Sequence, residues 1–178
     1  MFFMSIYYPE SNLKIMDYNR VLKSINDMSP DEFISKIGVS YDIEAYPDGY
    51  TNYKPTKKGE CSLFIKNKWY KLRVKSEKLD ETNLIKMLDS QILTDQVLGP
   101  ILGITDLRGD DRIDFVGGIR GLKELEKRCN EDCVAAFAMY PVQLKELMDI
   151  ADAGLIMPPK STWFEPKPRD GFICRCFD

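Results

Sequence analysis

A short stretch near the end of the chain concentrates side chains that can bind an anion. Lys160 supplies a positive charge, and Ser161 and Thr162 supply two hydroxyl groups beside it. Three prolines between residues 158 and 166 stiffen the stretch, because each fixes its own φ at about −65° and favours extended geometry in the residue before it. We therefore predict an extended segment that closes one edge of a sheet. At its mouth, Lys160, Ser161 and Thr162 would hold one anionic oxygen through charge-assisted hydrogen bonds.

This stretch does not match the phosphate loop G-x-x-x-x-G-K-[ST]. That loop cradles phosphate with backbone N–H groups held by glycines, whereas Pro158 and Pro159 have no N–H to donate. The alternative to an anion site is structural. In that case Lys160 pairs with a carboxylate, and the two hydroxyls satisfy nearby backbone groups.

Arg20 is the fourth residue that we predict at the anion site. It ends a polar run with Asp17 and Asn19. One interpretation is that these three residues form a polar site. The alternative is the end of a strand whose polar groups cap the next turn.

A glycine turn is a second place where an anion could bind. Gly117 and Gly118 follow a short predicted strand, residues 113–116, and precede a predicted helix. Unpaired N–H groups point outward at a helix N-terminus, and Arg120 would add positive charge. The alternative is that two adjacent glycines simply let the chain turn.

The composition excludes several kinds of site. The 178 residues include no histidine, so this chain contains no Ser-His-Asp or Cys-His nucleophile, and we predict no metal site because C-x-x-C pairs are absent too. Five cysteines favour reduced thiols in a cytoplasmic protein. The net charge of −3 argues against a nucleic-acid partner. No stretch approaches the ~20 apolar residues that cross a membrane.

Residues 105–114 are dense in carboxylates, which can bind a divalent cation through oxygen. The stretch lacks the properly spaced glycine and the terminal glutamate of a calcium loop. Pairing of its aspartates with Arg108 and Arg112 is the favoured alternative.

The strand and helix patterns predict an α+β fold in a single domain over residues 1–178. We expect an antiparallel or mixed sheet of about five to seven strands, with four or five helices mostly on one face. Ser29 and Pro30 mark a helix start and Gly38 its end. Residues 133–139 are nearly all apolar, as in a strand buried on both faces.

Other elements are less regular. Residues 3–8 and 13–16 predict an N-terminal hairpin, and residues 172–177 predict a last strand. A helical pattern runs from residue 80 to 103, and Pro100 should divide it into two short helices.

Three stretches together resemble one family, the prokaryotic group called domain of unknown function 1015. They are residues 13–21, residues 113–118 and the segment Met157-Pro158-Pro159-Lys160-Ser161-Thr162-Trp163-Phe164-Glu165-Pro166-Lys167. The resemblance runs over nearly the whole chain, and the last motif is its most specific part. Full members are about twice as long. Their N-terminal half is similar to ParB and sulfiredoxin domains and to the related free-serine kinases.

The resemblance implies that this chain corresponds to the C-terminal half only, since the Ala-Asp-Gly-His-His-Arg signature of the other half is absent. We expect a non-catalytic half that completes a nucleotide- or phosphate-handling site, with the N-terminal half as its partner. A nucleotide is implied as cofactor for the longer proteins and none for this chain alone. The alternative is a binding or scaffold module with no phosphate site.

Overall fold

The computed structural model describes residues 5–169 and 171, which form an α+β fold. The strands are β1 (Lys14–Met16), β2 (Tyr18–Leu22), β3 (Tyr41–Ala45), β4 (Glu60–Ile65), β5 (Lys68–Val74), β6 (Ile113–Gly117), β7 (Ala135–Met139) and β8 (Trp163–Glu165). The helices are α1 (Pro30–Ile37), α2 (Asp89–Leu93), α3 (Gly99–Leu102), α4 (Leu122–Glu131) and α5 (Leu144–Asp152). The last predicted strand, residues 172–177, lies outside the described residues.

Six strands form one antiparallel sheet in the order β3-β5-β4-β7-β2-β6. The predicted fold class is therefore confirmed. The apolar run at 133–139 supplies β7, which lies inside the sheet and is buried at every position. Because β7 has neighbours on both edges and apolar contacts on both faces, it needs no polar side chain.

The two faces of the sheet have separate cores, since successive strand residues point to opposite sides. Leu22, Leu63 and Phe137 face α1 and the α2–α3 segment. Val21, Phe64 and Ala136 face the other way, where Leu125 of α4 packs against them. Most of the helical cover thus lies on the first face.

Local sequence signals explain two of the element boundaries. The Ser29 hydroxyl accepts a hydrogen bond from Glu32 N at 3.2 Å, so the predicted N-cap of α1 is confirmed. Lys66 and Asn67 form the β4–β5 turn with φ of 51° and 58°. Two positive φ angles in succession are typical of a two-residue type I′ hairpin turn, whose twist matches that of the strands.

The region after residue 80 differs from its prediction. Regular helix begins at Asp89 rather than near residue 80, and a π-helical turn, Thr94–Leu98, joins α2 to α3 without a break. Pro100 is the second residue of α3, directly after the π-helical turn, and it has no N–H to continue the hydrogen bonds of that turn. The stretch thus contains two short α-helices, as expected, but a π-helical turn joins them.

The predicted N-terminal hairpin is wrong in its pairing. Residues 5–8 form no strand, and β1 pairs instead with β8, with Ile15 opposite Phe164. Within the proline-rich segment, only Trp163–Glu165 forms a strand, which pairs with β1 in a two-stranded sheet, whereas residues 159 and 160 form a turn instead of the expected extended chain. This pairing brings the last part of the described chain beside its first strands.

Candidate functional site

Residues 13–21, 113–118 and 157–167, the stretches that we predict to resemble one family, meet in a single place. β2 pairs with β6, so that Tyr18 lies opposite Gly117, and β8 joins them through its first residue. The Trp163 ring makes an edge contact with Tyr18, with ring centroids 5.3 Å apart and an interplanar angle of 75°. Phe115 contacts Tyr18 from the other strand at 5.6 Å.

The two glycines allow this close packing. A Cβ added at Gly117 would lie 2.6 to 2.8 Å from three atoms of the Trp163 indole, well inside carbon–carbon contact distance. A Cβ at Gly118 would overlap the Asp17 carboxylate. The glycine turn thus lets Trp163 and Asp17 approach the backbone. The anionic group that lies against this turn is the chain's own Asp17 carboxylate.

Asp17 and Asn19 form a buried hydrogen-bonded pair. Asn19 Nδ2 donates to Asp17 Oδ2 at 2.6 Å, and Asn19 Oδ1 accepts from the Met139 backbone N–H at 2.8 Å. Lys54 Nζ lies 3.6 Å from Asp17 Oδ1. The pair therefore links β2 to β7 and to the loop before β4, which is a structural role.

Arg20 is buried, with only 1% of its surface exposed. Its Nη2 donates to the Lys160 carbonyl at 3.0 Å, and its Nη1 donates to the Tyr18 carbonyl. Arg20 Nε has no hydrogen-bond partner, and no carboxylate within residues 5–169 forms an ion pair with this guanidinium. Burial lowers the pKa of Arg20 to about 10, which leaves it cationic at neutral pH.

The Lys160 side chain projects from a backbone position that the hydrogen bond from Arg20 holds in place. Its backbone has φ of 61°, a left-handed conformation that is uncommon for a residue with a side chain. The exposed ammonium lies 5.8 Å from the Tyr18 ring centroid, 5.5 Å from that of Phe115 and 3.5 Å from the Tyr18 hydroxyl. No carboxylate of the described residues pairs with it, so the predicted structural alternative for this lysine does not hold within that part of the chain.

The two hydroxyl residues have different environments. Ser161 is buried, its Oγ donates to the Pro158 carbonyl at 2.8 Å, and Ser90 Oγ of α2 lies 3.3 Å away. Thr162 is partly buried. The four predicted site residues thus lie together, but only the Lys160 ammonium reaches the surface fully.

Sequence reasoning missed other members of this cluster. Tyr18, Phe115, Trp163 and Lys167 were not predicted as site residues, although the Lys167 ammonium lies 4.7 Å from the Trp163 ring centroid. The three aromatic residues did not stand out in the sequence, because an aromatic residue on a strand is more often part of a core.

The other candidate sites gain little support. In the acidic stretch, Arg112 makes hydrogen bonds of 3.0 and 2.6 Å to the two oxygens of Asp110, so the internal pairing prediction is confirmed there. Within the described residues, no three His, Cys, Asp or Glu side chains come together as metal ligands. A cavity of about 550 Å³, lined among others by Leu84, Ile85 and Leu155, involves none of the four predicted residues.

No helix within the described residues has the length and apolar character needed to cross a membrane.

The first half of the chain matches a known family. The family model described as "Protein of unknown function (DUF1015)" matches residues 1–91, half of the chain. The segments 113–118 and 157–167 lie outside that match, so their resemblance to the family stays a prediction. No curated protein matches the chain.

Solved structures of a free serine kinase share the fold. A variant in complex with ADP has a TM-score of 0.51 and 14% identity, covering 89% of this chain and 56% of the kinase. A second variant in complex with AMP has a TM-score of 0.51 and 11% identity, covering 89% and 57%. The chain thus spans just over half the length of these kinase structures, and identity at this level shows the fold alone.

Proposed function

This chain belongs to the DUF1015 family, and we propose that it supplies the non-catalytic side of a nucleotide- or phosphate-handling site. An N-terminal half of the kind found in longer, kinase-like relatives would supply the rest. Lys160 contacts the phosphate in this proposal, and Arg20 positions it. The ligand would be a nucleotide in the completed protein.

One observation carries the proposal. An exposed lysine is fixed in a left-handed backbone conformation by a buried arginine, Arg20. Burying a cation without a carboxylate is costly, and its fixed hydrogen bonds hold the Lys160 backbone in place. A lysine whose backbone is already held in place loses less conformational entropy when its ammonium binds an anion than a lysine on a mobile backbone does.

The surroundings favour an anion over a cation at this point. Lys160, Arg20 and Lys167 all lie against the Tyr18, Phe115 and Trp163 rings. The Tyr18 hydroxyl, 3.5 Å from Lys160 Nζ, can donate a second hydrogen bond to the same oxygen. The ADP and AMP complexes of the kinase structures that share this fold agree with a phosphate ligand.

The test is thermal unfolding with inorganic phosphate, AMP and ADP. A ligand at 100 times its Kd adds about 2.7 kcal/mol, which raises Tm by roughly 5–10 °C for a chain of this size. Lys160→Gln should remove a charge-assisted hydrogen bond and weaken phosphate affinity about tenfold or more. Lys145→Gln is the matched control, since that lysine is exposed on α5 and pairs with Asp149.

The partner half is tested with a longer family member beside the same protein shortened to the range that this chain covers. If the site lies between two halves, a nucleotide should stabilise the longer form more strongly. Equal stabilisation of both forms would contradict a shared site.

A second candidate is a scaffold module with no phosphate site. The observation in its favour is that Ser161 Oγ and both terminal nitrogens of Arg20 already bond backbone carbonyls. The motif would then serve only to hold β8 in place. No stabilisation by any of the three ligands, with Lys160→Gln indistinguishable from the parent, would favour this function.

A further inference from the structure

The two faces of the Trp163 ring have different environments. Gly117 occupies one face, because the position of its absent Cβ lies 2.6 to 2.8 Å from the atoms at and beside the ring fusion. The Lys167 ammonium lies over the ring at 4.7 Å from the centroid. Because the Gly117 backbone lies against the first face, the second face is left for other contacts.

The Trp163 ring is held by several contacts, whereas the Lys167 ammonium next to it is not. Trp163 Nε1 donates to Glu165 Oε1 at 2.7 Å, and the edge contact with Tyr18 fixes the ring plane. Lys167 is exposed and forms no ion pair with a described carboxylate. A cation–π contact at an exposed site contributes only about a twofold to fivefold preference, so another planar group can replace the ammonium.

Lys160, the proposed phosphate contact, lies close to this ring. Both contact the Tyr18 ring, whose centroid lies 5.3 Å from the Trp163 centroid and 5.8 Å from Lys160 Nζ. A stacking surface and a cation that both lie beside the same ring suit a ligand with a flat ring at one end and a phosphate at the other.

We propose that the outer face of Trp163 is the stacking position for the base of a nucleoside phosphate whose phosphate group lies at Lys160. This rests on the proposed function and adds to it the part of the ligand that gives selectivity. The base displaces the Lys167 ammonium, which moves into solvent. No covalent step is involved.

Tryptophan fluorescence can test the stacking directly. The chain has two tryptophans, and Trp69 is buried, 5% exposed and hydrogen-bonded to Glu126. Titration with AMP should quench the emission of Trp163, whereas inorganic phosphate should bind without quenching. The Trp163→Phe variant should lose the quench and keep the Trp69 signal as an internal reference.

Affinity measurements by calorimetry give an independent readout. Base stacking on an aromatic side chain contributes at least about a fivefold gain per base. Trp163→Leu should therefore lower the ratio of AMP affinity to phosphate affinity by about fivefold or more. Lys167→Ala should raise AMP affinity about twofold to fivefold, because the competing ammonium is gone.

The outcomes separate the two proposals. Binding of phosphate and AMP with equal affinity and no quench would overturn the stacking position and leave the phosphate site intact. A Lys167→Ala variant with weaker AMP binding would also overturn it, since the lysine would then be a ligand contact. Failure of every probe to bind would refute both proposals together. If Trp163→Leu does not fold, the Lys167→Ala result and the fluorescence titration decide the question.

Discussion

The contact between Gly117 and Trp163 predicts a specific cost for one added methyl group. In Gly117→Ala the new Cβ would lie 2.6 to 2.8 Å from three indole atoms. Carbon atoms in contact are about 3.5–4.0 Å apart, so the ring must move by about 1 Å. Because Trp163 is held by Glu165 and Tyr18, we expect the upper part of the range for overpacked sites, about 2–3 kcal/mol.

The expected loss is measured by chemical and thermal unfolding. A loss of 2–3 kcal/mol corresponds to a drop in Tm of roughly 4–12 °C. The backbone itself does not oppose alanine, because Gly117 has φ of −64° and ψ of 140°. The steric clash with the indole is thus the reason for the predicted loss.

A double-mutant cycle isolates that clash. In a Trp163→Leu background the added methyl group has room, so Gly117→Ala should be neutral or stabilising there by up to about 1 kcal/mol. Gly38→Ala is a control at a glycine with φ of −58°, and should change stability by less than about 1 kcal/mol. An equal cost of Gly117→Ala in both backgrounds would refute the proposed contact.

Three further predictions concern buried charges. Burial raises the pKa of Asp89 to about 7 despite its hydrogen bond from Gly59 N, so the folded state holds a proton that the unfolded state loses near pH 4. Stability should therefore fall as pH rises from about 4 to 7, and Asp89→Asn should flatten that slope in urea titrations. Burial alone would raise the pKa of Glu60, but hydrogen bonds led by that from Arg73 lower it to about 2. The stability that Glu60 contributes should be present above about pH 4.5 and lost as pH falls toward 2. The Glu60→Gln variant should lack this loss in acid unfolding. An acid-unfolding profile identical to that of the parent would contradict the prediction. Arg20→Lys cannot bond both carbonyls, so we expect a loss of about 1–3 kcal/mol in denaturant unfolding, and a fully stable variant would contradict the positioning role.

Asp89 and Ser90 connect these charges to the candidate site. Asp89 begins α2 and binds the turn before β4, while Ser90 contacts Ser161. The first turn of α2 therefore joins the sheet to the proline-rich segment. A change in the protonation of Asp89 would act on the support of Lys160 rather than on the lysine itself.

The sequence alone identified the features that depend on near neighbours. Ser29 and Pro30 predicted the start of α1, because a helix cap is completed within four residues. The apolar run that became β7 predicted a strand with two buried faces. The positive charge and hydroxyls of residues 160–162 were also visible, although their binding role stays a prediction.

Only the tertiary structure decided which distant segments meet. The pairing of β1 with β8, the burial of Arg20 and the packing of Trp163 on Gly117 join residues far apart in the chain. Periodicity tells which side of a strand is apolar, but it does not say which strand will lie beside it. Strand partners depend on the packing of the whole core, so the arginine that looked like a surface ligand became the buried support of Lys160.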